Sequence, residues 1–258
     1  MDKYHLYHND YSLCSLQVRY TLALAGKPRE GLATMHIELI DVDLFNSGQL
    51  DEFFLTNINP KGQAGGFRPC KCMFGGLDIT WYLLDRYPDL LPQQHEGNIR
   101  ELLKAVHALN YFALSFPDRP QVAASFVKNI QDRLARDDIS EEYRKALEYK
   151  LSVTTQMKVH GIRPDAVRAN EQKARELMGR LEALLSSSSS GKGEGPWLFG
   201  LEQPTALDAH VVILIGRLQD VGRTSVVSER LLEYTDAAFQ TPKLQTVMAG
   251  RRTMAPMQ

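Results

Sequence analysis

The sequence predicts a two-part fold: an α/β half of order βαβαββα, then an all-α half. Three observations carry this. Over the first 88 residues the apolar period switches between strand-like and helix-like, and from about residue 97 it is helical throughout. Clusters of turn-forming residues at 9–12, 26–28 and 57–62 punctuate the first half. A Leu91-Pro92 step separates the two patterns. We therefore expect one domain over 1–90 and a second over 97–258.

Each element follows from its own residues. Tyr4 and Leu6 alternate with polar neighbours, as in a short strand. After Asn9-Asp10-Tyr11-Ser12, the residues Leu13, Leu16, Tyr20 and Leu24 recur at the three- and four-residue steps of one helix face, until Gly26-Lys27-Pro28 stops it. Met35 to Val42 is a second strand and Gln49 to Leu55 a short helix. Ala64 to Arg68 and Cys70 to Phe74 form a hairpin. Leu77 to Tyr87 is a helix ended by Pro88. The βαβ unit implies a parallel pair with a right-handed crossover, and the hairpin adds an antiparallel edge. Helices are then expected at 98–115, 121–136, 140–158, 164–185 and 206–220. The run from Ser186 to Pro196 is a surface loop. Its Gly191-Lys192 pair lacks a following Ser or Thr and a preceding strand, so it is not a phosphate-binding loop.

Composition narrows the function. The chain has 258 residues, 43% hydrophobic and 24% charged, with 30 basic against 31 acidic side chains. Residues 1–88 hold 8 basic and 10 acidic residues, so neither half is basic. That excludes the electrostatic footprint of a nucleic-acid or anionic-membrane partner. Three cysteines, an odd number, argue against a secreted disulfide scaffold. The longest aliphatic run, Val211 to Ile215, is far short of the roughly 20 residues that span a bilayer. No leader-like run follows Asp2 and Lys3, and the expectation is a cytoplasmic protein. The seven histidines show no ligand spacing, and Cys70-Lys71-Cys72 has no second pair to complete a zinc site, so no metal is expected.

Three segments carry a chemical signal. Thr205-Ala206-Leu207-Asp208 is a capping box before a helix apolar nearly all round, which should be buried. The loop and helix start Asp10-Tyr11-Ser12-Leu13-Cys14-Ser15 place a hydroxyl and a thiol where a helix N-terminus favours an anion. The plainer reading makes Ser12 or Ser15 an N-cap and Cys14 a small buried residue. The third segment, Asn59-Pro60-Lys61-Gly62-Gln63, stands by itself as a turn.

Together these segments resemble the glutathione transferase superfamily over nearly the whole chain. Tyr82-Leu83-Leu84-Asp85-Arg86-Tyr87-Pro88 matches the end of that family's third helix, and Trp197 to Gly200 precedes the matching capping box. The resemblance implies a thioredoxin-like N-terminal domain joined to an all-α C-terminal domain. The sequence Ser12-Leu13-Cys14-Ser15 is most similar to the zeta class, and the later half resembles fungal members associated with secondary metabolism.

The resemblance further implies glutathione as cofactor or co-substrate, and Ser12 as the residue acting on its thiol. Lys61, Gln63, Ala64 and Gly76 are the implied glutathione contacts. Tyr11, Tyr111, Phe112 and Phe116 are candidates for an apolar acceptor site. The implied reaction is addition of the thiolate to a small hydrophobic, conjugated electrophile, giving isomerisation of a double bond or a conjugate. The implied assembly is a homodimer. Two other readings stand beside it: a thiol transferase using Cys14, and a non-catalytic scaffold. The chain departs from the family where Ala64-Gly65 replaces Val-Pro and Gly75-Gly76 replaces an acidic residue and Ser. The second change removes a carboxylate and a hydroxyl and leaves backbone N–H groups for a γ-glutamyl carboxylate.

Overall fold

The computed structural model describes residues 3–63, 66–68, 73–186 and 195–255. Strand β1 (Lys3–His8) lies at the centre of a sheet of order β2-β1-β3-β4. It pairs in parallel with β2 (His36–Asp41) and antiparallel with β3 (Gly66–Arg68), which pairs antiparallel with β4 (Met73–Phe74). Helix α1 (Leu13–Leu24) makes the crossover, α2 (Glu52–Asn57) follows β2, and α3 (Gly76–Arg86) follows β4. This is the expected βαβαββα order.

Register places the important segments. Gly66 pairs with Tyr7 on one side and with Phe74 on the other. The end of β1, the entry to β3 and the end of β4 therefore share one edge of the sheet. The loop 9–12, the turn 59–63 and Gly75-Gly76 all emerge there.

The second half is helical: α4 (Glu96–His107), α5 (Tyr111–Ser115), α6 (Pro120–Leu134), α7 (Glu141–Thr154), α8 (Pro164–Ser186), α9 (Ala206–Asp220), α10 (Glu229–Phe239) and α11 (Pro242–Met248). Helix α9 is buried from Ala206 to Leu218, as its all-round apolar sequence requires. It packs on α1, so one core joins the sheet face to the bundle. The capping box forms: Leu207 N–H donates to Thr205 Oγ1 at 3.2 Å, and Thr205 N–H donates to Asp208 Oδ2 at 2.7 Å. Asp208 also receives Leu198 N–H at 3.0 Å and the Tyr234 hydroxyl at 2.6 Å. The box thus ties the 195–201 segment and α10 to α9.

Three expected elements differ. The helix expected over 98–115 breaks at 108–110, because Asn110 restarts it by accepting Ala113 N–H. Tyr111 and Phe112 therefore lie on a separate short helix, with Phe116 as its C-cap. The helix expected over 49–55 splits at Asp51, whose backbone is extended, into a 3-10 turn at Gly48–Leu50 and α2. The helix expected over 140–158 widens into a π-turn at Thr155–Val159. Cys70 and Cys72, and Ser187 to Glu194 of the expected loop, lie outside the described residues.

Helices α6 and α7 form a hairpin that packs back on α2. Leu50 and Leu55 share an apolar cluster with Ile130, Tyr143 and Leu147. Tyr143 donates its hydroxyl proton to Leu50 O at 2.5 Å. No described helix is long and apolar enough to cross a membrane.

Candidate functional site

Ser12 is the N-cap of α1. Its backbone is extended, its side chain is half-buried, and Oγ accepts Ser15 N–H at 3.4 Å. The cap uses an oxygen lone pair only, so the hydroxyl proton is free to be donated. Ser15 does the inward work, its Oγ accepting Asn9 N–H at 3.2 Å. The loop is braced from several sides. Asn9 bonds Val42 O and Tyr11 N–H; Asp10 pairs with Arg19 at 2.5 Å and Arg251 at 3.1 Å. The buried Arg217 guanidinium donates to Tyr11 O at 2.7 Å and also to Thr253 O. The Tyr11 ring meets Phe45 edge-on at 6.1 Å.

Cys14 is half-buried in the first turn of α1. The N-terminal dipole by itself would lower its thiol. Burial instead pushes it up to about 11, and nearby Arg217 only partly offsets this. At pH 7 about one thiol in ten thousand would be ionised.

The turn at 59–63 is held by its own side chains. Asn59 Oδ1 accepts Lys61 N–H at 3.0 Å, and Asn59 Nδ2 donates to Gln63 O at 2.9 Å. Gly62 has φ +53°, and a Cβ there would stand 3.0 Å from Gln49 O, Leu55 Cδ2 and Lys150 Cε, so only glycine fits. The buried Lys150 of α7 donates to Lys61 O at 2.6 Å and Gly62 O at 3.0 Å. The side chains of Lys61 and Gln63 are exposed at the sheet edge; Ala64 lies outside the described residues.

At α3, Gly75 is the N-cap with φ +109°, and Gly76 is the buried first helical residue. A Cβ on Gly76 would lie 3.7 Å from Cys14 Cβ and 3.4 Å from His107 Cε1. The N-termini of α1 and α3 are thus side by side, with His107 of α4 between them.

His107 ends a buried chain. Thr80 Oγ1 donates its proton to Gly76 O at 2.7 Å. It must therefore accept from His210 Nε2–H, at 3.0 Å. His210 Nδ1 is then an acceptor and receives His107 Nε2–H at 2.9 Å. Burial brings His107 down to about 4 and holds His210 well below the usual imidazole range, so both imidazoles are neutral at pH 7. The chain leaves His107 Nδ1 as a lone-pair acceptor beside the paired helix starts.

Of the acceptor candidates, Tyr111 reaches the α1 side, its hydroxyl accepting Gln17 Nε2–H at 3.5 Å; burial raises that phenol, so it stays protonated. Phe112 and Phe116 are half-buried on the other flank, 5.3 Å apart, with Phe126 of α6 6.1 Å from Phe112. Ser12, Cys14 and Gly76 are brought together, with Tyr111 beside Cys14. Phe112 and Phe116 form a separate aromatic group facing α6.

Sequence reasoning missed Thr80, His107, His210, Arg217 and Lys150. The two histidines are 103 positions apart, so no local spacing could pair them. His210 and Arg217 did leave one trace, as polar residues inside a run otherwise apolar.

No family model matches this chain, and no curated protein matches its sequence. Solved structures do match its fold. β-Etherase LigF from Sphingobium sp. strain SYK-6 superposes with a TM-score of 0.64 at 18% identity, covering 96% of this chain and 99% of that one. Maleyl pyruvate isomerase, a bacterial zeta-class glutathione S-transferase, gives 0.55 at 18% identity over 98% and 100%. A glutathione transferase from Pseudomonas putida, holding one glutathione disulfide per subunit, gives 0.59 at 14% identity over 96% and 91%. From end to end, the chain has the fold of the glutathione transferases.

Proposed function

We propose that this protein is a glutathione-dependent enzyme that acts on a small, hydrophobic, conjugated electrophile. One observation carries the reading. The sheet register and the Gly76–Cys14 approach bring a donor hydroxyl at Ser12, the 59–63 turn and a bare α3 N-terminus to one edge of a fold shared with glutathione-binding proteins. Bound glutathione supplies a thiol whose anion adds to a polarised double bond. Ser12 donates its free hydroxyl proton to that sulfur and favours the anion. The N–H groups at the start of α3 face the γ-glutamyl carboxylate, with the positive end of the helix dipole behind them. Gln63 lies at the sheet edge beside them, and Ala64 belongs to the same proposed contact set.

Tyr11 and Tyr111 flank the sulfur position, and Phe112 and Phe116 supply apolar surface for the acceptor. If the adduct expels the thiolate after rotation about the former double bond, the outcome is cis–trans isomerisation; if it persists, the outcome is conjugation. Isomerisation within fungal secondary metabolism, of the kind carried out in the pseurotin pathway, is the finer form of this reading. It is supported by the zeta-like Ser12 loop and by the resemblance of the later half. The division at 90–97 and a cytoplasmic homodimer belong to the same proposal. Phe45, before α2, and Phe53, on α2, are exposed and offer apolar surface for the dimer contact.

The thiol transferase reading based on Cys14 is weakened by its raised thiol. Calorimetric titration with reduced glutathione, on the wild type and on Ser12→Ala, tests the main reading. Binding at micromolar to low-millimolar affinity supports it, followed by turnover of enones or polyenes that Ser12→Ala loses. No binding up to about 10 mM sinks it and favours the scaffold.

A further inference from the structure

Helix α9 is buried from Ala206 to Leu218, so each polar residue in it needs a reason to be there. Asp208 closes the capping box, and His210 belongs to the chain with Thr80 and His107. Arg217 has no part in either. It is 7% exposed, and a buried guanidinium is costly unless its donors and its charge are matched. Burial brings it down only to about 10, so it is a cation at pH 7.

Its donors converge on the loop that carries Ser12. Nη2 donates to Tyr11 O at 2.7 Å and to Thr253 O, and Nε donates to Thr253 Oγ1 at 3.2 Å. Tyr11 O belongs to the peptide unit that joins Tyr11 to Ser12. The N–H of that same unit donates to Asn9 O at 3.1 Å. The unit is planar and is thus fixed at both ends, its oxygen by α9 and its N–H by the turn. Only φ and χ1 of Ser12 remain to place Oγ, and the 3.4 Å bond from Ser15 N–H directs χ1.

Arg217 is itself held. Asp220 Oδ2 accepts Thr253 N–H at 2.7 Å and the Thr253 hydroxyl proton at 2.6 Å. With that proton given away, Thr253 Oγ1 meets Arg217 Nε–H as an acceptor. Two more guanidiniums join the same segment to the same loop. Arg19 donates to Val247 O at 3.2 Å and pairs with Asp10 at 2.5 Å, while Arg251 pairs with Asp10 at 3.1 Å.

We propose that Arg217 is a positioning residue for the Ser12 hydroxyl, and that residues 247–253 hold it in place. This rests on the functional reading above, in which that hydroxyl donates to the glutathione sulfur. Arg217 touches neither glutathione nor the acceptor. It fixes the peptide plane from which the hydroxyl is aimed. A hydrogen bond weakens steeply as its angle closes, so a loosened plane weakens the donation and leaves more of the bound thiol protonated.

The test follows the ionisation of glutathione bound to the protein, through the ultraviolet absorbance of its thiolate across pH. Ser12→Ala should lower the acidity constant of the bound thiol about 10-fold or more. Arg217→Lys keeps the charge but loses the planar fork that spans Tyr11 and Thr253, and should lower it about 3-fold or more. Added to Ser12→Ala, the same change should lower it by less than about 1.5-fold, because no hydroxyl is left to aim. Equal losses with and without Ser12, or no loss in Arg217→Lys, overturn the positioning role and leave the functional reading standing. If Arg217→Lys does not fold, Thr253→Val decides by the same comparison. A loss of about 2-fold or more that vanishes on Ser12→Ala supports the role, and any other result overturns it. If glutathione binds but Ser12→Ala leaves its thiol unchanged, there is nothing for Arg217 to aim and the role is overturned. If the wild type binds no glutathione, the functional reading fails, and the positioning role fails with it.

Discussion

The two helix starts that meet at the candidate site are built in opposite ways. At α1 the polar group offered to the candidate site is a side chain, the Ser12 hydroxyl, on a loop braced by Asn9, Asp10, Arg19, Arg217 and Arg251. At α3 the N-cap and the first helical residue are glycines, and the polar side chains belong to the Thr80–His210–His107 chain. The first edge presents a donor aimed by packing. The second presents bare N–H groups and a neutral acceptor nitrogen. The difference shows how a helix start without polar side chains of its own can draw polar groups from elements distant in sequence.

The largest effect should come from the side-chain edge. Ser12→Ala removes the proposed donor to the sulfur and should lower kcat about 100-fold, while the weak cap costs only about 1 kcal/mol of stability. Steady-state kinetics alongside a urea melt will separate the two. A stability loss with unchanged kcat would reduce Ser12 to a cap.

Next comes acidity at the α3 edge. Both histidines titrate lower in the folded than in the unfolded chain, where the value is near 6.5. The unfolded state therefore binds more protons between pH 6.5 and about 4, and stability falls as pH drops through that window. His107 alone should account for about 2 kcal/mol of the loss between pH 7 and 4.5, and His210 adds to it in the same direction. The double variant His107→Gln, His210→Gln should be less stable at pH 7 and show a flatter decline. A decline parallel to wild type, in urea midpoints at the two pH values, would refute this.

The glycines should separate by conformation. Gly75→Ala forces a Cβ onto φ +109° and should cost about 1–2 kcal/mol. Gly76 has ordinary helical backbone and room for a Cβ at 3.4 Å or more. Gly76→Ser should leave the melt nearly unchanged and tighten glutathione binding about 2- to 10-fold, read by calorimetry. The smallest expected effect is at Lys150. Lys150→Met frees the carbonyls of Lys61 and Gly62 and should weaken glutathione binding about 3-fold, through one lost hydrogen bond's worth of turn rigidity.

Much of the fold was legible because its signals are local. The α1 face, the Gly26-Pro28 stop, the 59–62 turn and the Thr205–Asp208 box each lie within a dozen residues, and each formed as expected. The breaks at 51 and 108–110 were not legible. Asn110 looks like any polar residue until its partner Asn170, 60 positions on, is in place. The candidate site divides in the same way. The positions of Ser12, the turn and Gly76 follow from loop and strand order, whereas the state of the Cys14 thiol depended on burial that a helix dipole could not outweigh.

By itself, then, the sequence determined the order of elements, the buried helix at 206–220 and the three backbone segments at the sheet edge. Periodicity, caps and turn residues act within a few positions of themselves. Tertiary structure alone decided that His107, His210 and Thr80 would form one chain, that Arg217 would brace the Ser12 loop, and that the α6–α7 hairpin would carry two lysines to opposite fates. One lysine is bonded to backbone carbonyls, and the other is held between aromatic rings. Those outcomes depend on desolvation and on hydrogen-bond partners far apart in sequence, and neither exists until the core has closed.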